Sequence, residues 1–542
     1  MTTSHSAQTD RFVHDRLPLA EQRAQMRYDL PELRIADQAN LVDVLFGEID
    51  ARELMDKPFL RSDKITLTYA DASERINRIA QVLTEDFDLI PGNRVLLRGG
   101  NSIGMAFAWL GVVKAGLIAV ATMPLLRAKE LGEVIEKAQI NFALCDATLM
   151  DELNIAKSQT NTLTTIVPFN LKNEAGSLAV LSAQKDGHFK PCLTSADDIA
   201  MMAFTSGTTG KPKAVVHTHR DVLAACQAWP RHTLEATTDD IVMGSPPLAF
   251  TFGLGGLLLF PFSAGASVYF PSIAYTPEAM VKLINETRAT IVYTAPTFYR
   301  QMAQFAKQSG TPTLRICVSA GEALPDATRQ LWKEATGIEM LDGIGATEMF
   351  HIFISSKPAD IRRGAIGKVV PGYTAKVVDD QGVEVPLGTV GKLAVIGPTG
   401  CKYLDDARQT NYVKNGWNYP GDAFTQDADG YFFYQARDDD MIITSGYNVG
   451  GPEVEDALMQ HPAVAECGVI GLPDDERGMV VKAFVVLKPG IEGDDAARKL
   501  LQDHVKATLA PFKYPRQIQF VGNLPRTETG KLQRFKLRST PQ

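Results

Sequence analysis

Blocks of one charge, paired cysteines and unbroken apolar spans are all missing from this sequence. Its 55 Lys and Arg stand against 63 Asp and Glu, for a net charge of −8. No Lys/Arg cluster interrupts the mixture, which disfavours a nucleic-acid binder. Any anionic ligand must then be gripped by a local site and not by a global field. The six cysteines, Cys145, Cys192, Cys226, Cys317, Cys401 and Cys467, stand singly. No CxxC pair or His/Cys cluster offers zinc spacing, so buried free thiols in a reducing compartment are expected. Met1 to Leu19 is polar, carries both charge signs and lacks the apolar core of a secretory leader. The expected location is therefore cytoplasmic. Ile241 to Pro277 carries no charge and is long enough to imitate a membrane span. Pro246, Pro247 and Pro261, with interspersed glycines and serines, break it repeatedly. It reads as buried strands and turns lining a hydrophobic pocket, and no membrane association is expected.

What is present is an ordinary globular composition, 45% apolar and 22% charged, over 542 residues. That length exceeds one core, so two or more domains are expected. After a lead of about 62 residues, apolar strands alternate with helix-period segments. Helices are predicted at 40–53, 69–87, 102–117 and 128–138. Strands are predicted at 65–69, 94–97, 118–121 and 142–145. The rhythm recurs from about 240 to 342, which argues α/β layers with largely parallel sheets. Beyond about 366 short alternating segments separated by turn signals read as a small β-rich unit. The charged break Arg437-Asp438-Asp439-Asp440 then precedes a compact α/β tail. We place the domain boundary there, giving units 1–437 and 438–542.

The densest local signal is Phe204-Thr205-Ser206-Gly207-Thr208-Thr209-Gly210-Lys211-Pro212-Lys213, directly after the apolar run from Ile199. A buried strand running into a loop of glycines, hydroxyls and lysines suits an anion such as a triphosphate. It is not the nucleotide loop Gly-x-x-x-x-Gly-Lys-Ser/Thr. Thr205 stands where the first Gly belongs, and Pro212 where the metal-binding hydroxyl belongs.

Four later stretches follow in order: Asp342 to Glu348, Tyr419-Pro420-Gly421-Asp422, Arg437 through Gly446, and Pro525 to Lys531. Together with the opening loop they resemble the acyl-adenylate-forming superfamily of acyl-CoA synthetases, luciferases and peptide-synthetase adenylation domains. The resemblance spans roughly residue 60 to the C-terminus. It implies a large N-terminal domain of two α/β subdomains and a small β-barrel, with a small mobile α+β C-terminal domain. Ala346-Thr347-Glu348-Met349-Phe350-His351-Ile352-Phe353 looks like the benzoate-type version. Asp29 to Leu33 and Tyr293 to Arg300 look like 2-aminobenzoate–CoA ligases.

The resemblance implies a role for each matching residue. Thr205, Ser206, Gly207, Thr208, Thr209, Gly210 and Lys211 would hold the β- and γ-phosphates of ATP. Thr347 would contact the α-phosphate and Glu348 would help hold Mg²⁺, because a carboxylate beside a phosphate needs a metal between them. Gly321, Glu322, Ala323 and Asp342 would face adenine, with Gly343, Ile344, Gly345 and Ala346 completing that wall. Ile344 stands where many relatives carry a stacking Tyr. Asp422 and Arg437 would take the ribose. Lys531 would reach the α-phosphate and the substrate carboxylate, and Thr205, Thr347, Glu348 and Lys531 form the expected catalytic set. Asp439 matches the family's hinge, and Gly446 and Tyr447 would line the pantetheine tunnel. Phe250, Phe298, Ser319, Ala320, Gly343 and His351 are the expected acyl-pocket residues, with Phe252 a further wall. Pro247 to Thr251 lacks the Asp that would pair an α-ammonium, and burying that ammonium unpaired is costly. An α-amino acid substrate is therefore disfavoured.

The implied activity is an ATP-dependent, AMP-forming aryl-acid–CoA ligase, with 2-aminobenzoate favoured and benzoate or hydroxybenzoate next. Its partners would be the aromatic acid, ATP, Mg²⁺ and coenzyme A, and a homodimer stays open. One alternative is a stand-alone aryl-acid adenylating enzyme that loads a carrier protein in trans. Another, of a different class, is a non-catalytic nucleotide-binding protein.

Overall fold

The computed structural model describes residues 6–171, 174–205, 212–437, 440–444, 447–474, 477–526 and 532–538. Within these the chain forms four sheets. The first runs Thr165–Phe169, Phe142–Asp146, Arg94–Arg98, Ile118–Thr122, Ile199–Thr205 and Lys213–Thr218. All its pairings are parallel except the last, a hairpin that brackets the Gly/Thr loop. The central strands 94–98, 118–122 and 142–146 are buried along their whole length. They show no inside–outside alternation because helices cover both faces.

The second sheet places Ile352–Ser355, Met340–Gly345, Ile316–Ser319, Ile291–Thr294, Ile241–Gly244 and Ser267–Tyr269 side by side. Pairing is parallel from 340–345 through to 267–269. The predicted helices lie close to their expected bounds: Leu41–Ala51, Tyr69–Gln81, Ile103–Lys114 and Ala128–Ala138. Asn40 caps the first by accepting from Val42 N–H, and Leu41, Val42, Leu45, Phe46 and Ile49 form its buried stripe.

Two expectations need revision. The uncharged stretch after Ile241 is not only strands and turns. Between Ile241–Gly244 and Ser267–Tyr269 it forms helix Thr251–Leu254, a wide π-helical turn Gly255–Leu259 and helix Phe260–Ala264. Pro261 is tolerated because it sits in a first helical turn, where no N–H partner is lost. Among the described residues no helix is long and apolar enough to cross a membrane. The expected barrel is an antiparallel sheet of Val413–Lys414, Trp417–Asn418, Gly391–Ile396, Asp422–Gln426 and Phe432–Arg437, with Thr374–Val378 on 391–396. Among the described residues no strand pairing closes it.

After Arg437 the fourth sheet begins with Ile442–Thr444 and contains the long hairpin Val464–Asp474 and Gly478–Leu487. Helices Gly451–Met459 and Asp495–Thr508 and strand Gln517–Phe520 complete this unit. All six cysteines are free thiols.

The third sheet is fastened to the first beside the Lys213–Thr218 strand. Tyr403 bridges Val215, and Lys402 Nζ donates to Asp221 Oδ2 at 2.6 Å. Asp221 is buried and also accepts from Thr218 N–H, closing a capping box on helix His219–Gln227. Replacing Lys402 by Met strands that carboxylate without its cation. We expect a loss of about 3 kcal/mol, read as a lower urea midpoint, with the double variant Lys402→Met/Asp221→Asn recovering part of it. Wild-type midpoints in both proteins would show that the pair does not hold the sheets together.

Candidate active site

Register along the second sheet brings the predicted residues together. Thr294 lies opposite Ser319, and Ser319 opposite Asp342. The residues just past these strand ends, Ala295–Phe298, Ala320–Ala323 and Gly343–Thr347, therefore share one rim. This is where open α/β sheets bind ligands. Ala320 is buried, while Gly321 and Ala323 are exposed. Glu322 accepts from Thr297 Oγ1 at 2.9 Å, and the Arg526 guanidinium of the C-terminal unit comes within 4.0 Å of it. Asp342 is buried, and burial raises its carboxyl to about 6. Arg329 at 4.0 Å and the Gly343 N–H oppose that rise only in part. Ile344 and Ala346 are half-buried and Gly345 is exposed. Ile344 packs on the main core, so its apolar face is available to a flat ring but partly committed to the protein.

Glu348 is buried, not an exposed loop carboxylate. Tyr403 O–H donates to its Oε1 at 2.5 Å. Lys213 Nζ donates to Tyr403 Oη at 2.8 Å and reaches Glu348 Oε1 at 3.3 Å. Burial, with Glu348 alongside, holds the Tyr403 phenol far above its ordinary range, so it remains a donor. Next to Glu348, the Thr347 carbonyl accepts from His217 Nε2 at 2.7 Å. Thr205 ends the strand that pairs with Lys213, and its Oγ1 is buried with no hydrogen-bond partner among the described residues. Thr205, Thr347 and Glu348 are thus gathered where the first and second sheets meet.

The chain then reverses within one residue. Phe350 has φ 69° and ψ −53°, and His351 N–H bonds Met349 C=O at 2.9 Å. This is a γ-turn of the rare positive-φ kind, a strained conformation for a bulky side chain. Phe350 is fully buried, which fixes it there. The reversal delivers His351 into a group of rings. Centroids lie 5.4 Å from Trp229, 5.6 Å from Phe252 and 4.5 Å from Phe260. Glycine makes this packing possible: a Cβ at Gly255 would come 2.6 Å from His351 Cδ2. Burial pushes the His351 imidazole down to about 3. Its Nε2 faces the Phe252 carbonyl at 3.3 Å, while its Nδ1 has no hydrogen-bond partner among the described residues. Ser319 Oγ is likewise buried without one.

Phe250 caps helix Thr251–Leu254 and is half-buried, as are Phe252 and Phe298. The loop carrying Phe250 is clamped by Asn101, which donates to Pro246 C=O at 2.9 Å and accepts from Leu248 N–H at 2.8 Å. Asp422 and Arg437 are cross-strand neighbours, and Arg437 Nη1 donates to buried Asp422 at 3.2 Å. Tyr447 is exposed and stacks on Phe512 with centroids 4.4 Å apart. Ser206, Gly207, Thr208, Thr209, Gly210, Lys211, Asp439, Gly446 and Lys531 lie outside the described residues.

The structure adds residues that motif reading passed over: Tyr403 and His217 around the Thr347–Glu348 pair, Asn101 under the pocket loop, and Trp229 among the rings. Only His217 had a usable signal, since it continues the strand leaving the Gly/Thr loop. The others come from distant segments and meet only through the fold.

Residues 48–402 match the AMP-binding enzyme family and residues 453–531 its C-terminal domain. The benzoate–CoA ligase of Thauera aromatica is 35% identical over 94% of this chain and 97% of its own length. The crystal structure of the anthranilate CoA ligase AuaEII in complex with anthranoyl-AMP superposes with a TM-score of 0.88. It has 35% identity and covers 94% of this chain and 98% of its own. A benzoate CoA ligase from Burkholderia xenovorans LB400 gives a TM-score of 0.84 at 32% identity, covering 92% and 100% of the two chains.

Three buried histidines, two of them at the site, set an acid limit on the fold. Burial lowers His217 and His219 to about 4, and His351 to about 3, from an ordinary 6.5. Unfolded imidazoles protonate below 6.5 while the folded ones stay neutral. Stability is therefore complete above that value and is lost as pH falls toward 4. Each histidine should contribute up to ~1.4 kcal/mol per pH unit across the window. Urea midpoints that fall steadily from neutral pH to about pH 5 are expected. A flat profile would show that these rings can be protonated in place.

Proposed function

The chain belongs to the AMP-binding enzyme family, and on that premise we propose that it is an AMP-forming aryl-acid–CoA ligase that favours 2-aminobenzoate, with benzoate or a hydroxybenzoate next. The observation that carries this is the single turn at Phe350. It puts a buried carboxylate, Glu348, on one side and a histidine among aromatic rings on the other. A phosphate-directed group and a flat-walled pocket thus come from one short motif. The benzoate and anthranilate ligases found among its relatives support an aromatic acid. The half-open His351 supports a ring carrying a hydrogen-bond donor.

A carboxylate is a poor electrophile until it is joined to a phosphoryl group. In the first step its oxygen attacks the α-phosphorus of ATP and pyrophosphate leaves. Charge then grows on the α-phosphoryl oxygens, where positioned donors and cations count most. In this proposal Thr205 to Lys211 hold the β- and γ-phosphates, Thr347 meets the α-phosphate, and Lys531 bridges it to the acid carboxylate. Lys213 and Tyr403 hold the Glu348 carboxylate in place. Asp342 with Gly321 to Ala323 faces adenine, and the Asp422–Arg437 pair takes the ribose. In the second step a thiol attacks the acyl carbonyl and AMP leaves. Asp439 is the proposed hinge between units 1–437 and 438–542, and Gly446 and Tyr447 the proposed thiol channel.

Magnesium fits Glu348. Among the described residues no group of three or more His, Cys, Asp or Glu gathers to cage a metal. Mg²⁺ is usually held by one or two carboxylates with waters and substrate phosphates. Glu348 would be the protein's ligand, and the ion would neutralise phosphate charge. A carrier protein in place of CoA is the second reading, because both acceptors present the same phosphopantetheine thiol.

The deciding experiment incubates the protein with ATP, Mg²⁺, CoA and a panel of benzoate, 2-aminobenzoate, the three hydroxybenzoates and a medium-chain fatty acid. Products are read by mass spectrometry. A thioester and AMP mainly from 2-aminobenzoate are expected. Acyl-AMP without thioester would favour the carrier protein, and no AMP from any aromatic acid in folded protein would overturn the reading. Lys531→Ala should cut acyl-AMP formation by ~10³-fold or more, as expected when a positioned charge on the transition state is removed, with the thermal midpoint unchanged. Wild-type adenylation in that variant would remove Lys531 from the mechanism.

A further inference from the structure

Residues 320–325 join strand Ile316–Ser319 to helix Asp326–Thr336 and carry the stretch proposed above to face adenine. Their fastening inside the N-terminal unit is sparse. Glu322 accepts from Thr297 Oγ1, and Leu324 packs partly on the core beneath. Gly321 and Ala323 are exposed, and Gly321 sits at φ 89° with open space where a Cβ would stand.

The helix that follows begins without a cap of its own. Pro325 precedes it and offers no side-chain acceptor. Thr328 and Arg329 N–H both turn to Pro325 C=O, at 3.0 and 3.1 Å, which leaves the N–H groups of Asp326 and Ala327 open. Asp326 does not close them itself, because the Arg363 guanidinium holds its carboxylate through both oxygens. The acceptor comes from beyond Arg437. Asp456, on helix Gly451–Met459, takes the Asp326 N–H at 2.7 Å, with Ala327 N–H alongside. Arg363 stands near both carboxylates and offsets their repulsion. Arg526 of the same C-terminal unit reaches the stretch a second time, within 4.0 Å of Glu322.

Resting on the aryl-acid ligase reading above, we propose that Asp456 is a positioning residue of the nucleotide site. It caps helix Asp326–Thr336 from across the unit boundary and so fixes the loop that meets adenine. Asp456 itself touches no substrate. Docking of unit 438–542 and binding of nucleotide then strengthen one another, since what orders the loop for one orders it for the other.

The test measures ATP affinity and amide hydrogen exchange in the full chain. Asp456→Ala removes the acceptor, whereas Asp456→Asn keeps one, and Asn caps helices as well as Asp. The Ala variant should bind ATP about fivefold to tenfold more weakly, the effect of losing a typical cap. The Asn variant should stay within about twofold of the wild type. In the wild type, saturating ATP should slow exchange at Asp326 and Ala327 by a factor similar to that lost affinity, because the coupling is reciprocal. In Asp456→Ala these amides should exchange faster and lose their response to ATP. A purely structural role would lower the thermal midpoint and leave ATP affinity unchanged. Wild-type affinity in the Ala variant, or an Asn variant as weak as Ala, overturns the proposal. If the Ala variant does not fold, wild-type amides at 326 and 327 that ignore ATP overturn it alone. A wild-type chain that binds no ATP at all is instead a failure of the functional reading, seen before any variant is made.

Discussion

Burying the Glu348 carboxylate requires partners that compensate its lost hydration, and the site is assembled from those partners. A desolvated carboxylate left without partners would force the structure open. Tyr403 and Lys213 prevent this, and they come from opposite sides: one from the segment entering the third sheet, the other from the hairpin ending the first. The second sheet contributes Glu348 itself. One charge-assisted contact therefore joins three sheets at the candidate site. Lys402 and Asp221 repeat the device one residue further along, on a pair that stays structural.

The γ-turn at Phe350 ties this fixed point to the group of rings around His351. Its backbone is strained, yet the fully buried Phe350 side chain and the bond from His217 to the Thr347 carbonyl hold it on both sides. Strain held in this way fixes the relative placement of two chemistries. Moving Glu348 would move His351, so the carboxylate and the group of rings cannot drift apart. The price is paid in buried imidazoles, which are neutral only while the site stays dry.

Much of this was legible in the chain. Apolar runs without alternation announced the buried parallel strands, and the five motifs fall at or near the strand ends that carry the candidate site. Thr205, Thr347, Glu348, Asp342, Asp422 and His351 occupy rims and cross-strand positions that local pattern already suggested. Trp229, Asn101 and Tyr403 were not legible, because each lies in an apolar or loop segment of ordinary composition. Their roles arise from contacts spanning tens to hundreds of residues. The helical character of 251–264 was hidden for a related reason. Glycines and a proline ordinarily argue against a helix, but here they provide ring clearance and a first-turn position.

The proposed two-step reaction also requires a boundary that can separate. The apolar cores of the two parts do not merge: the clusters around Val454, Val481 and Leu501 and around Phe484 and Leu537 are built wholly from residues after Arg437. Polar contacts cross between them. Arg526 approaches Glu322 at 4.0 Å, and Asp326 N–H bonds Asp456 Oδ1 at 2.7 Å. Burial raises the Asp456 carboxyl, and the nearby Asp326 charge adds to that rise. An interface that keeps one acid desolvated beside another, and long-range ion pairs worth only ~0–1 kcal/mol, gives up little on opening. Arg526 is the informative contact here. It brings a residue of the part after Arg437 to Glu322, in the motif proposed for adenine, so the pose shown already joins the two parts at that rim.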